Sequence, residues 1–306
     1  MSAPEYLCDL HCHTDRSDGC DSPLELVQNA ARRGMKIVAV TDHDTLPPQT
    51  AFLDHTETDI VEYAASLGVR LVRGTEISCD TYVDDVHVLG YGCNWEAPFF
   101  SEMESFVNAS KLEGYQKFIK RLNELDIRIS WEDVEKACGG NFQKKKIFEL
   151  MAQKGYFPGW KEAKIWANEN PELEVRREKP DPKEVIRQIR GSGGIAVLAH
   201  PYLIPETVSQ NGRQATRDAY IRDLIESGLD GMEASYTYNK TSYNGSMTKE
   251  QIFNEVTAKY GGAVRVLTGG SDYHADQRKG VENPRRIGEC GIHPEYFYSN
   301  PLLKNL

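Results

Sequence analysis

Ile195-Ala196-Val197-Leu198-Ala199 is a short, unbroken apolar run that stops at His200-Pro201, and the chain repeats this device along most of its length. Lys36 to Val40 stops at Thr41-Asp42-His43-Asp44. Arg265 to Thr268 stops at Gly269-Gly270-Ser271-Asp272-Tyr273-His274, and Tyr6-Leu7-Cys8-Asp9-Leu10 runs into His11-Cys12-His13. Further strand-like runs are Val69 to Ser78, with Glu76 near its end, Val83 to Tyr91, which contains His87, and Gly231 to Ala234. Helix-like segments alternate with them. Ser22-Pro23-Leu24-Glu25 is a capping box with proline at the first helical position, and the apolar pattern then runs through Leu24, Leu26, Val27 and Ala30 to Gly34. Others cover residues 58 to 67, 215 to 227 and 248 to 260, and Asp181-Pro182-Lys183-Glu184 opens one that ends at Gly191. Short buried runs that each hand over to a helix imply an α/β fold with a parallel sheet, most simply a closed TIM-like barrel.

Residues 97 to 180 break the rhythm. They are charged and mostly helical, with Phe100 to Leu125 as the clearest helix. The expected division is therefore a barrel domain from residues 1 to 96 and 181 to 306, carrying an inserted helical cap subdomain at 97 to 180. A chain of 306 residues suits that plan.

Charge and thiols narrow the function classes. The formal net charge of -10 argues against a broad footprint for long duplex nucleic acid. It leaves room for a small anionic substrate, because metals and local lysines can override the global sign. No apolar run is long enough to span a bilayer, and the first residues lack the basic and apolar regions of a secretory signal. Seven cysteines, an odd number without a C-x-x-C pair, suit the cytoplasm, where thiols stay reduced.

Ligand-type side chains collect at the strand ends. On a strand, residues two apart point the same way, so His11 and His13 project side by side and Cys12 faces the opposite side as packing. His43, Glu76, His87, His200, Asp272 and His274 fall at or near the ends of other strands. Six of the eight histidines belong to this set, and His55 and His293 do not. In parallel barrels the C-terminal strand ends carry the active site. Mixed histidine and carboxylate ligands without cysteine suit Mn, Fe or Zn in an open site better than a closed structural zinc, and more than four ligands imply more than one ion. Asp42 and Asp44, flanking His43, can either orient its imidazole or serve the turn.

The motifs D-L-H-C-H and S-D-G, T-D-H-D, G-T-E-I-S, V-H-V-L-G, A-H-P and G-G-S-D-Y-H resemble those of the PHP (polymerase and histidinol phosphatase) family, in the family's order, from Asp9 to His274. The resemblance implies a distorted (β/α)7 barrel that holds two or three divalent transition-metal ions. It is nearest to the small phosphatase branch with a helical insertion. It implies that His11, His13, Glu76 and Asp272 hold a first ion. Glu76, His87 and His200 would hold a second, and Asp18, His43 and His274 a third. Glu76, Asp272 and His274 are the expected catalytic residues. Where that branch often carries an Arg-x-His segment, this chain has Lys144-Lys145-Lys146. Lys144 and Lys146 either form a solvated helix face or reach a substrate phosphate as point charges. Arg177, Lys179 and Arg213 are similar candidates, and Tyr236 and Tyr238 either stack on a base or pack.

These readings imply a metal-dependent phosphoesterase in which a metal-bridging hydroxide attacks phosphorus in line. The expected substrate is a nucleotide- or sugar-phosphate-like molecule. The alternatives are a cyclic phosphodiester and the 5′ end of a short RNA. A C–N hydrolase would want a ligand lysine at a strand end, which is not found, and a non-catalytic module would tolerate missing ligands, of which none is missing. The general acid stays open between His274, Asp272 and water.

Overall fold

The computed structural model describes residues 4–139, 142–210 and 213–306, and the side chains of Gln210 and Arg213 lie outside the described set. Seven strands form one sheet in the order β1 (Cys8–Asp9), β2 (Ile37–Val40), β5 (Arg70–Ser78), β6 (His87–Tyr91), β7 (Ile195–Leu198), β10 (Gly231–Tyr236) and β11 (Val266–Gly270). Two separate antiparallel hairpins interrupt the series: β3 (Thr50–Leu53) with β4 (Thr56–Asp59), and β8 (Thr207–Gln210) with β9 (Arg213–Thr216). The edges of the sheet meet. Leu10 N–H donates to the Gly269 carbonyl at 3.1 Å and His13 N–H to the Tyr273 carbonyl at 2.8 Å, giving a nearly closed barrel.

Every residue of β2 and β7 is buried, as continuous apolar runs should be when a sheet is covered on both faces. Leu10, Ile37, Val72, Leu89, Tyr91 and Val197 belong to one core cluster. Cys12 faces away into a second one with Leu26, Val27 and Val40. The helices are α1 (Pro23–Arg32), α2 (Ile60–Ser66), α3 (Pro98–Glu124), α4 (Trp131–Cys138), α5 (Lys144–Gln153), α6 (Trp160–Asn168), α7 (Pro182–Gly191), α8 (Arg217–Glu226), α9 (Lys249–Tyr260) and α10 (Pro294–Ser299). The capping box of α1 is formed, with Ser22 Oγ accepting from Glu25 N–H at 3.3 Å and Glu25 accepting from Ser22 N–H at 2.7 Å.

One strand departs from the expected all-parallel sheet. β6 runs antiparallel to both β5 and β7, and it starts at His87 rather than at Val83. Its connection to β5 is a tight turn, in which Asp80 at φ 59° accepts from the N–H groups of Tyr82 at 2.8 Å and Val83 at 3.1 Å. A parallel crossover needs a dozen or more residues, so a link this short must send the chain straight back. His87 is thus the first residue of its strand. Reversal brings that residue to the end where the parallel strands finish, because His87 pairs with Ser78 at the end of β5.

The chain separates into two compact units, residues 1–104 with 180–306, and residues 105–179. The second has its own core, in which Phe118 and Leu122 of α3 pack with Val134, Ile147, Phe148, Met151 and Ala163. No helix among the described residues is long and apolar enough to cross a membrane.

Closing the barrel demands a glycine. A Cβ on Gly270 would lie 2.3 Å from Cβ and 2.6 Å from the backbone nitrogen of His11. Gly270→Ala should therefore lower unfolding stability by about 3 kcal/mol, since a packed strand pair cannot yield without moving. Urea denaturation measures it, and a loss below about 1 kcal/mol would show that the two strands separate easily.

Candidate metal centre

Strand direction delivers the side chains. β1 carries His11 and His13 inward beyond its last paired residue. Beneath them the buried Asp9 accepts from Ser271 N–H at 2.9 Å, Ser271 Oγ at 2.6 Å and Gly288 N–H at 2.8 Å, tying the start of the barrel to its end. Three residues at the strand ends have left-handed backbones: Asp44 (φ 55°), His200 (φ 28°) and Asp272 (φ 53°). Such conformations cost about 1–3 kcal/mol each and persist where neighbours over-determine them. Asp44 is held by Ser78, whose N–H donates to its carboxylate at 2.7 Å, and His200 by its own N–H, which donates to Glu233 Oε2 at 2.9 Å. Asp272 is held through its carboxylate, by Tyr236 and Arg285.

The expected ligands converge on Glu76, which is buried. Its Oε2 lies 3.0 Å from His11 Nε2, 3.1 Å from His13 Nε2 and 3.2 Å from His43 Nδ1. Its Oε1 lies 2.9 Å from both His87 Nδ1 and His200 Nε2. Asp272 Oδ1 is 3.1 Å from His13 Nε2 and 3.6 Å from His11 Nε2. On the other side of His13, His274 Nε2 lies 2.9 Å from Asp18 Oδ1. Ligand atoms of His13, Asp18, His43 and His274 fall within 4.8 Å of one another, as do those of His11, His13 and Asp272, and those of His43, Glu76 and His87.

This donor set fits cations. His11 Nε2 and His13 Nε2 approach to 3.0 Å, and at most one can carry a hydrogen toward the other. Donor atoms about 2.1 Å from a tetrahedral ion stand about 3.4 Å apart, close to the spacings seen. Nδ1 of His13 and of His200 are buried without a hydrogen-bond partner among the described residues, an arrangement that is costly for a purely structural cluster. The His274 ring is oriented by its Nδ1, 2.8 Å from the Asp272 carbonyl; a carbonyl only accepts, so Nε2 is left with its lone pair. Burial disfavours charge throughout, yet the carboxylates Glu76, Glu233 and Asp272 outweigh it at His11 and hold that imidazole well above its ordinary pKa. Against the same burial, Asp272 and Glu76 push His13 up to about 10. The surrounding imidazoles in turn hold Glu76 and Asp272 well below the carboxylate range. At His87 and His274 burial wins, and both lie below the usual value.

Of the carboxylates beside His43, Asp44 is held on Ser78 and Asp42 on the segment that follows His13. Asp42 accepts from Thr14 N–H, Thr14 Oγ1 and Ser17 Oγ, each at 2.7 Å. Tyr236 and Tyr238 are buried, which leaves no face for a base. The Tyr236 hydroxyl donates to Asp272 Oδ2 at 2.7 Å, and the Tyr238 hydroxyl accepts from Tyr202 N–H at 3.2 Å.

Among the basic candidates, Lys144 and Arg177 meet Lys111 around a cavity of about 150 Å³ within the helical unit, lined also by Tyr115 and Phe118 and by no carboxylate. Lys146 Nζ instead lies 3.0 Å from Glu149 Oε2, one turn along α5. Lys179 does not line that cavity. The Arg213 side chain lies outside the described residues.

Two functional neighbours escaped sequence reasoning. Glu233 lies against His11 Nδ1 at 3.2 Å; its only signal was one acid in the otherwise uncharged strand Gly-Met-Glu-Ala-Ser-Tyr. Arg285 grips Asp272 Oδ2 at 2.5 Å and both oxygens of Asp276 at 2.7 and 3.1 Å, from an irregular segment with no periodic signal at all.

Comparison with known proteins agrees with this geometry. The PHP domain pattern matches residues 9–163. A 5'-3' exoribonuclease of Haemophilus influenzae is 27% identical over 74% of this chain and 77% of its own length. A phosphoribosyl 1,2-cyclic phosphate 1,2-diphosphodiesterase of Eggerthella lenta is 26% identical over 87% of this chain and 93% of its own. Among solved structures, a Bifidobacterium adolescentis protein assigned as a metal-dependent phosphoesterase superposes with a TM-score of 0.67 at 25% identity, covering 98% of this chain and 96% of that one. With more than half of the chain matched and the barrel and its histidine and carboxylate cluster in place, the chain belongs to the PHP domain family of metal-dependent phosphoesterases.

Proposed function

We propose that the chain hydrolyses phosphate esters of small nucleotide- or sugar-phosphate-like molecules, using two or three divalent ions (Mn, Fe or Zn). The observation that carries this reading is the Glu76 carboxylate, whose two oxygens face five histidines. His11, His13, Glu76 and Asp272 would hold one ion, Glu76 with His87 and His200 a second, and Asp18, His43 and His274 a third. When bound, such ions supply Lewis-acid polarisation of the phosphoryl group and a water-derived nucleophile at neutral pH. The protein's own contribution is orientation: Arg285 and the Tyr236 hydroxyl occupy Asp272 Oδ2, so that Oδ1 alone faces the histidines. Seven free thiols among the described residues fit a cytoplasmic setting.

The test is a product-release screen, with free phosphate read by colorimetry and opened monoesters or mononucleotides by chromatography, on Mn-reconstituted protein against nucleoside monophosphates and bisphosphates, sugar phosphates, cyclic sugar phosphodiesters and short 5′-phosphorylated RNA. Release from the small monoesters supports the first reading. Turnover confined to cyclic diesters or RNA ends would replace it with the second, which the similarity to the diphosphodiesterase over 93% of that relative's length favours. No release from any class would overturn both.

The helical unit is also proposed to supply cations for the substrate. Its residues 105–179 carry fifteen Lys and Arg against twelve Asp and Glu, in a chain whose net charge is -10. Lys144→Ala and Arg177→Ala are expected to raise KM about tenfold for a bisphosphorylated substrate and less for a monoester, because a charge-assisted contact contributes roughly 1.5 kcal/mol. Lys179→Ala belongs in the same series. Steady-state kinetics on both substrates decides: equal KM in all variants and the parent would make these residues a solvated face.

A further inference from the structure

We propose that Glu233 is a positioning residue that sets the tautomer of His11 and the backbone of His200 at once, and through them the affinity of the site for metal. The inference rests on the metal-centre reading above.

Glu233 stands apart from the ligand set. It is 1% exposed and approaches the remote nitrogen of His11, with Oε1 at 3.2 Å and Oε2 at 3.3 Å from Nδ1, while His11 Nε2 faces Glu76 and Asp272. A carboxylate only accepts, so this contact places the hydrogen of His11 on Nδ1 and leaves the Nε2 lone pair directed at the other ligands. The same carboxylate accepts the N–H of His200 at 2.9 Å, holding the left-handed turn that presents His200 Nε2 to Glu76. β10 is shaped for this task. Its register against β11 shifts between Glu233 and Ser235, a bulge immediately after the acid, and bulges re-aim side chains. One carboxylate therefore acts on a ligand from each half of the Glu76 cluster.

Glu233→Gln separates positioning from bulk structure. A backbone N–H cannot accept, so the amide oxygen must stay on His200 N–H, which turns the NH2 group toward His11 Nδ1. Nδ1 then meets a donor at the 3.2 Å position and keeps only the 3.3 Å contact to the oxygen, which loosens its hold on the hydrogen and favours the tautomer that turns the lone pair away from the cluster. Glu233→Ala removes both contacts but leaves the His11 tautomer free.

The experiment measures Mn2+ affinity by calorimetry and chelator competition, Mn2+ content, and chemical denaturation of the metal-free protein, on the full chain. Expected is a ten- to hundredfold loss of affinity in Glu233→Gln, at least as large as in Glu233→Ala, although Glu233→Gln is the more stable of the two without metal. A residue with a merely structural role would rank the two variants the same way in both measurements. If Glu233→Gln binds Mn2+ within twofold of the parent, the inference is overturned. Should the parent itself take up no Mn2+, the metal-centre reading fails, and the inference falls with it.

Discussion

Replacing Glu76 by Gln is expected to lower turnover by about a thousandfold, roughly 4 kcal/mol of barrier, while the metal-free protein stays folded. The size follows from geometry. Glu76 is the group that both halves of the cluster share, with three imidazoles against one oxygen and two against the other. Gln carries no charge, so both sides lose their anionic partner, and the side that meets the NH2 group loses its acceptor as well. The measurement is kcat and KM with saturating Mn2+, alongside Mn2+ per chain and the circular dichroism of the metal-free variant. Activity within about tenfold of the parent, roughly 1.4 kcal/mol, would remove Glu76 from its bridging role.

Stripping and restoring the metal should move stability nearly as far. At a free concentration a thousand times Kd, each ion bound only by the folded state adds about 4 kcal/mol. For a domain of this size that is about 10 °C in Tm for a single ion, and more for two. Protons compete for the same imidazole nitrogens, so the gain from Mn2+ should shrink as pH falls from 8 to 6. Elemental analysis of protein purified without chelator should find at least two transition-metal ions per chain. Thermal melts of chelated and Mn-restored protein test the rest, and identical melts at pH 8 with no metal in the parent would sink the multinuclear site.

The candidate ligand set is legible along the chain because all its members but Asp18, which follows in the turn after β1, lie at or close to a strand end, a position that short-range patterning marks. Local rules reach that far. Cys12 between His11 and His13 is assignable to packing by the two-residue period of a strand, and the α1 cap by its Ser-Pro-Leu-Glu signature. The direction of β6 was within reach too, since its link to β5 is too short for a parallel crossover. The apolar pattern alone, however, does not state direction, and Val83 to Val86 turned out to belong to the turn. Tyr236 and Tyr238 show the opposite limit. Their spacing after a strand allowed base stacking, and only packing around them showed that their hydroxyls are spent on Asp272 and Tyr202.

By itself, then, the sequence determined the barrel class, the helical insertion and the identity of the nine metal-ligand candidates, because these depend on periodicity, caps and residue type along a few consecutive positions. Tertiary structure alone decided which oxygen of Glu76 meets which imidazole. It also decided that Glu233 stands behind His11 from 222 residues away, and that Arg285 and Tyr236 share one oxygen of Asp272. The physical reason is that orientation of a buried polar group is set by whichever donors and acceptors the closed barrel brings within about 3 Å, and no local pattern encodes partners that meet only when the first and last strands join.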